Sequence, residues 1–449
     1  MKIKFFLNNY SFLFLLLCSS IIFYSCSGKN SSVNNELGSK MNTIAEHYVK
    51  LVLKVGELDS DYVDAYYGPE NWKPQDILSS PADSAKLRNN CNAETDSLLN
   101  DLDALKNFKA GNLEILRYTY LYKQLLAIKA KLFMLGGGSF SFDEESKDLY
   151  DAVAPSFPMQ HYQKILDEIN GLLPGKGDLI TRIEEYRKSF IIPKDKLNTV
   201  FMAAISECKK RTLNHIQLPD NEKFKIEYVN NKPWSGYNWY KGNYFSTIQI
   251  NTDLPIYIDR AVDLAAHEGY PGHHVYNTLL EENLVKKNGW MEFTVYPLFS
   301  PQSLIAEGTA NFGIQMIFPG NSRIDFEKNV LFPLIGLAPD KADKYYRILE
   351  LVNKLSYSAN EAARNYLDKK WNETEAVSWL MKYSLMSEER AKQRIKFIEK
   401  YRSYVINYNL GQDIIKNYIE KNGGANNNAK RWSLFYELLS TPQTPSGLK

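Results

Sequence analysis

The stretch "AAHEGYPGHHVYN", residues 265–277, decides how this chain is read. The chain holds six histidines, and His267, His273 and His274 all fall here, with Glu268 directly after the first. A zinc-binding helix of the HExxH type needs two imidazoles one turn apart, so that both nitrogens reach a common ion at about 2.0–2.1 Å. The position that should hold the second histidine is Pro271. On a regular helix His273 would point about 120° away from His267, and His274 would share its face but lie about 10 Å further along the axis. An unbroken helix therefore serves neither. Pro271 has no N–H, and its ring clashes with the carbonyl of His267. Gly272 accepts backbone angles that other residues avoid. If Pro271 and Gly272 loop out, His273 drops into the place of the second ligand, and helix irregularities of this kind recur at functional sites.

The sequence around this stretch predicts a mainly α protein with a small β-sheet beside the His-Glu helix. Residues 42–58, 113–135, 196–216 and 344–367 carry apolar side chains at three- and four-residue spacing. "KFKIEYV" (223–229) and "YFSTIQIN" (244–251) read as a strand pair, separated by an aromatic connector containing Gly and Pro. An exposed strand just before the His-Glu helix is either a platform for an extended peptide or a plain cover for the core. "GGGS" at 136–139 is followed by no Gly-Lys-Ser or Gly-Lys-Thr, so it reads as a helix-ending connector and not as a phosphate loop.

At the N-terminus, Lys2 and Lys4 precede the apolar "FLFLLLCSSIIF", which is too short for a convincing membrane span. The run ends in "FYSCSGKN", where a small residue, Cys26, Ser27 and Gly28 resemble a bacterial lipobox. The expected organisation is a signal peptide over 1–25, a lipidated Cys26, a flexible tether over 26–37, and one helical catalytic domain over 38–449, which two lobes around a cleft could also describe. That places the protein in the cell envelope, anchored to a membrane and facing the extracytoplasmic side. Lys plus Arg number 54 against 52 Asp plus Glu, a balance that gives no support for a nucleic-acid partner. Four cysteines, two of them in or at the signal, exclude a cysteine-rich metal site and leave at most the pair Cys91 and Cys208 for a disulfide.

The eight residues His267, Glu268, Gly269, Tyr270, Pro271, Gly272, His273 and His274 resemble the His-Glu-x-x-Pro-Gly-His-His signature of bacterial lipoproteins grouped as domain of unknown function 885. That family is similar to gluzincin-type zinc peptidases. "INTD" (250–253) and the "DAYYGP" stretch from Asp64 to Pro69 are similar to further segments of it. The resemblance implies Zn2+ as cofactor, His267 and His273 as ligands, and a third ligand from a later helix. Glu307 in "SLIAEGTANFGIQMIF" (303–318) fits that role, in a run otherwise free of charge. Glu307 and Gly308 match the family's Glu-Gly-Trp-Ala-Leu-Tyr pattern, whereas Thr309, Asn311 and Phe312 depart from it. Asn311 either orients a histidine or is an ordinary polar helix residue.

In such a site Glu268 is the expected general base, adjacent to a ligand without being one. The donor for the developing oxyanion is expected from Tyr408 or His274, with Tyr404 as a rival. The family's Pro-Gly-Gln before that tyrosine is replaced here by "RSYVIN" (402–407). His47, His161 and His215 stand alone and read as structural. The leading function is a zinc-dependent peptidase acting on a peptide substrate. A non-catalytic lipoprotein that binds a peptide or partner, and a metal-dependent hydrolase of a non-peptide amide, remain open. So do endo- or exo-cleavage, side-chain preference and oligomeric state.

Overall fold

The computed structural model describes residues 24–75, 80–107, 111–232 and 234–449, with side chains from Leu37 onward. The signal segment read over 1–25 lies almost wholly outside these residues, as does the side chain of Cys26. The fold is mainly α. Helix α1 (Tyr24–Leu58) buries Met41, Ile44, Tyr48, Val52 and Val55, a repeat of three and four residues that turns one face to the core. It also runs through residues 26–37, where a tether was expected. Extending a helix already nucleated costs far less than starting one, so a polar segment can continue the turns of a packed neighbour. Among the described residues, no helix is long and apolar enough to cross a membrane.

Local signals set the boundaries of the next helices. Helix α2 (Pro81–Leu105) starts with Pro at its first position and Ser80 capping the Asp83 N–H. Helix α3 (Asn112–Leu135) stops at the glycines, with Gly137 at φ +88°. Helix α4 (Phe142–Tyr150) opens with a Ser141/Glu144 capping box. Helices α5 (Met159–Leu172), α6 (Leu179–Lys188) and α7 (Leu197–Leu213) complete the N-terminal half.

Two small sheets interrupt the helices. Strand β1 (Val63–Tyr66) pairs antiparallel with β5 (Val295–Pro297). Strands β2 (Lys223–Val229), β3 (Gly236–Tyr240) and β4 (Phe245–Asn251) form a sheet of order β2-β4-β3, parallel between β2 and β4 and antiparallel between β3 and β4. The expected strand pair thus has a third member, drawn from the segment read as a connector. Its residues alternate in burial, with Asn238 and Tyr240 buried and Tyr237 and Trp239 less so. Asn251 of "INTD" donates to the carbonyls of Lys232 and Trp234 and so shapes the turn between β2 and β3.

Helices α8 (Asp259–Leu264), α9 (His273–Leu280) and α10 (Pro301–Ile317) carry the histidine and glutamate motifs. After the short α11 (Ser322–Phe326) and α12 (Phe332–Leu334) come α13 (Ala342–Lys354) and α14 (Tyr357–Leu367). The apolar pattern over 344–367 predicts one helix, but the chain breaks at Leu355. There the Ser358 hydroxyl takes the Leu355 carbonyl at 2.6 Å, a local bond that competes with the helix ladder. Helices α15 (Glu373–Ser384), α16 (Glu388–Tyr401), α17 (Ile406–Ile419) and α18 (Asn428–Ser440) close the chain.

One large apolar core runs through most of these helices, and a smaller one lies between α5, α6, α13 and α15. Helices α10 and α17 cross backbone to backbone. A Cβ on Gly308 would lie 2.5 Å from the Gly411 carbonyl carbon, and one on Gly411 would lie 2.7 Å from the Leu304 carbonyl oxygen. Only glycine permits that approach. Asn407 reinforces the crossing by donating to the Ser303 hydroxyl at 3.0 Å. Cys91 and Cys208 are both buried and free.

Candidate metal centre

The His-Glu segment resolves its spacing by ending one helix and starting another. After α8 the backbone widens into a π-helical turn over Ala265–Gly269, Tyr270 is extended, the Tyr270–Pro271 peptide is cis, and α9 begins at His273. The Tyr270 N–H donates to the Ala265 carbonyl at 3.1 Å, and the Gly272 N–H reaches back to Ala266 at 2.9 Å. A Cβ on Gly272 would sit 1.9 Å from the His267 carbonyl oxygen, so this fold-back requires glycine. The expected loop of Pro271 and Gly272 within a continuing helix is therefore a full break. The break brings His273 Nε2 to 3.2 Å from His267 Nε2.

Glu307 completes the cluster from α10. Its Oε2 lies 3.2 Å from His267 Nε2 and 3.8 Å from His273 Nε2. Glu307 is 6 % exposed, and its Oε2 has no hydrogen-bond partner. Its Oε1 accepts from the Tyr404 hydroxyl at 2.8 Å. Asn311, one turn later, presents Oδ1 to His267 Nδ1 at 3.0 Å, while its Nδ2 donates to the Tyr408 carbonyl. That amide orientation makes Nδ1 the protonated nitrogen of His267 and leaves Nε2 facing Glu307 and His273. A carboxylate oxygen of Glu268 is also within 4.8 Å of an imidazole nitrogen of each histidine. Glu307 is the closer carboxylate to both.

The four groups of the cluster shift one another's protonation. Burial works against charge on His267, but the carboxylates of Glu307, 3.2 Å away, and Glu268 outweigh it and raise its pKa to about 9. Burial and the neighbouring His267 push His273 down to about 4. Burial opposes ionisation of Glu307, but the two neighbouring histidines hold its carboxyl below the usual range. Glu268 is pushed up to about 7, mainly by burial and secondarily by Glu307, against the pull of His267. The Asn238 amide on β3 donates to the Glu268 carbonyl at 2.6 Å, and Gly236 on the same edge strand lies against its side chain.

The three candidate oxyanion donors separate clearly. His274 is fully buried, with Nδ1 2.8 Å from Ser246 Oγ and Nε2 2.8 Å from Glu222 Oε2. Both ring nitrogens are engaged away from the cluster, so the expectation of His274 as a donor is corrected. Tyr404 is committed to Glu307. The Tyr408 hydroxyl takes no hydrogen bond from any described residue. Burial and the charges of Glu307 and Glu268 hold its phenol well above the ordinary value, so it is a neutral donor beside the cluster.

Sequence reasoning did not find Glu222, which gathers His274, Tyr270 at 2.7 Å and Lys209 at 2.7 Å beneath the helix break. Nor did it find the role of Asn238. Both are single polar residues in ordinary surroundings, and only the folded contacts distinguish them.

No family model matches the chain, and no curated protein sequence matches it. Among solved structures it is similar to "the putative lipoprotein from Colwellia psychrerythraea", at 15% identity and a TM-score of 0.48, over 84% of this chain and 69% of that one. At that level of likeness no statement about chemistry passes from one protein to the other.

If the cluster holds zinc, replacing Asn311 with alanine should weaken its binding about 10–100-fold by freeing the His267 ring, read by chelator competition; an unchanged Kd would contradict that role. Glu222 supplies a pH test. Burial opposes its ionisation, but hydrogen bonds from His274, Lys209 and Tyr270 bring its carboxyl down to about 2. A depressed carboxyl stabilises the fold above its unfolded value, about 4.3, and loses that contribution as pH falls towards about 2. Metal-free wild-type protein should therefore lose unfolding free energy more steeply than Glu222→Gln between about pH 4.5 and 2. Parallel curves for the two proteins would count against it.

Proposed function

We propose that the protein is a zinc-dependent hydrolase of peptide bonds, anchored in the cell envelope by lipid on Cys26. The observation that carries the reading is the convergence of His267, His273 and Glu307 around a buried carboxylate oxygen that has no hydrogen bond. For zinc bonds of about 2.0–2.1 Å a tetrahedral edge measures about 3.3–3.4 Å. The observed separations of 3.2, 3.2 and 3.8 Å bracket that value. Two imidazoles, with His267 giving up its proton to the ion, and one carboxylate are also a donor set of the catalytic kind. The residues fit the ion.

Zinc held there would acidify a water molecule and polarise the scissile carbonyl. Glu268, raised to about 7, is suited to take a proton from the attacking water and pass it to the leaving amine nitrogen. The balance is simple: the C–N bond breaks, hydroxyl joins the acyl carbon, and the proton goes to nitrogen. Tyr408 would donate its O–H to the oxyanion as it forms. Asn311 and Tyr404 hold His267 and Glu307 in place. Strand β3 is a sheet edge adjoining Glu268, and its free backbone groups suit an extended peptide laid beside the centre.

The Glu268→Gln variant should keep one zinc per chain while its peptide hydrolysis falls about 10²–10⁴-fold, read by metal analysis beside turnover. Undiminished hydrolysis would remove Glu268 as the base. The anchor rests on the lipobox-like "FYSCSG" around Cys26. Intact mass of the detergent-extracted protein should show an acylated chain beginning at Cys26; a mature terminus elsewhere would remove the anchor.

A further inference from the structure

The three-stranded sheet has an outer face that the metal centre does not use. Ser246, Ile248 and Ile250 of β4 are buried, and Ser246 reaches His274 among the helices. Thr247 and Gln249 alternate with them and so face outward. The pairing sets Trp239 beside Thr247 and Tyr237 beside Gln249 on β3, and Lys225 beside Thr247 and Glu227 beside Gln249 on β2. Side-chain contacts run across this one face. Trp239 Nε1 donates to Gln249 Oε1 at 3.1 Å, and Gln249 Nε2 donates to Glu227 Oε2 at 2.9 Å.

An aromatic cluster occupies its β3 side. Trp234, in the turn before β3, lies 5.4 Å from Tyr237, and Tyr237 lies 4.6 Å from Trp239, ring centre to ring centre. All three are half-buried. Lysines surround them. Lys241 sits over the Trp239 ring at 5.2 Å, Lys223 opens β2, and Lys232 lies two residues before Trp234. These three lysines are exposed, and among the described residues their ammonium groups have no ion-pair partner. The acids beside them are engaged: Glu227 pairs with Lys225 at 2.6 Å, and Asp253 accepts the Asn231 N–H at 2.8 Å.

Half-exposed Trp and Tyr rings among lysines suit the boundary between water and lipid. The rings enter its apolar side and keep their N–H or O–H in the wet layer. Lysine stems lie along it and place their charge among anionic head groups. A glycan suits the face less well. The rings are tilted against one another by 35° and 40°, and Lys241 covers Trp239, so no broad flat ring surface is offered to a sugar.

We propose that this face docks on an anionic membrane surface and fixes how the protein lies there. A lipid on Cys26 would bring the chain to a membrane without orienting it. Gly236 and Asn238, which alternate with the outward residues of the same strand, lie against Glu268. Docking therefore holds the metal cluster just behind the bilayer surface. The assignment rests on neither zinc nor the acyl group.

Tryptophan fluorescence of the purified full chain on vesicles tests it, with phosphatidylcholine brominated near the head group as quencher. When the vesicles also contain phosphatidylglycerol, emission should fall by up to about two-sevenths, because Trp234 and Trp239 are two of the seven tryptophans. The Trp234→Phe/Trp239→Phe variant keeps apolar rings in place and should show no quenching on the same vesicles. The Lys223→Gln/Lys232→Gln/Lys241→Gln variant, changed only at exposed positions, should lose most of it. Quenching that is absent in the parent protein, equally strong on vesicles of phosphatidylcholine alone, or retained by the double phenylalanine variant overturns the assignment. So does a shift of emission by soluble N-acetylglucosamine oligomers without quenching on vesicles, which gives the face to a glycan. Intact mass of the same sample reports acylation of Cys26 separately, so failure of the anchor and failure of the docking face are distinguishable.

Discussion

Glu307 has two carboxylate oxygens with different fates, and the architecture of the site follows from that division. One oxygen accepts the Tyr404 hydroxyl; the other is buried and not hydrogen-bonded, opposite the Nε2 atoms of His267 and His273. Leaving a buried carboxylate oxygen unsatisfied carries a real cost, and a dication ligated there removes it. The close crossing of α10 and α17 brings Tyr404 and Tyr408 to α10, and it is possible only because Gly308 and Gly411 lack side chains. The same crossing lets Asn311 span from the Tyr408 carbonyl to the His267 ring.

On the opposite wall, the break between α8 and α9 turns a spacing that a helix cannot use into two facing imidazoles. It is held from beneath. Glu222 ties Tyr270, on the N-terminal side of Pro271, to His274 on the C-terminal side, and Lys209 neutralises it. Asp263 in α8 is fixed by Arg260 at 3.1 Å and Arg323 at 2.8 Å. The adjacent histidines therefore do different work: His273 faces the centre and His274 belongs to the scaffold.

Much of this was legible in the sequence because it is local chemistry. Pro271 and Gly272 forbid a regular helix, and the six-position spacing of His267 and His273 then requires a break. Glu307 stood out as a charge in an apolar run. What could not be read depends on long-range packing. His274 has the same side chain as His273, and only the burial of Ser246 and Glu222 around it assigns its role. Strand β3 hid in a Gly- and Pro-flanked aromatic segment because its partner, β4, follows it through a tight turn. Continuous apolar periodicity concealed the break between α13 and α14, since both helices face the core. The polar composition of residues 26–37 suggested a tether, whereas α1 carries its helical register through them.

The central claim is that His267, His273 and Glu307, and not His274, form a zinc site. X-ray absorption at the zinc edge of the loaded protein tests it most directly. The account predicts one zinc per chain with two imidazole nitrogens and oxygen ligands at about 2.0–2.1 Å. His273→Ala should remove one imidazole from that shell, and His274→Gln should leave it intact. A shell that loses imidazole scattering in His274→Gln and keeps it in His273→Ala would contradict the account.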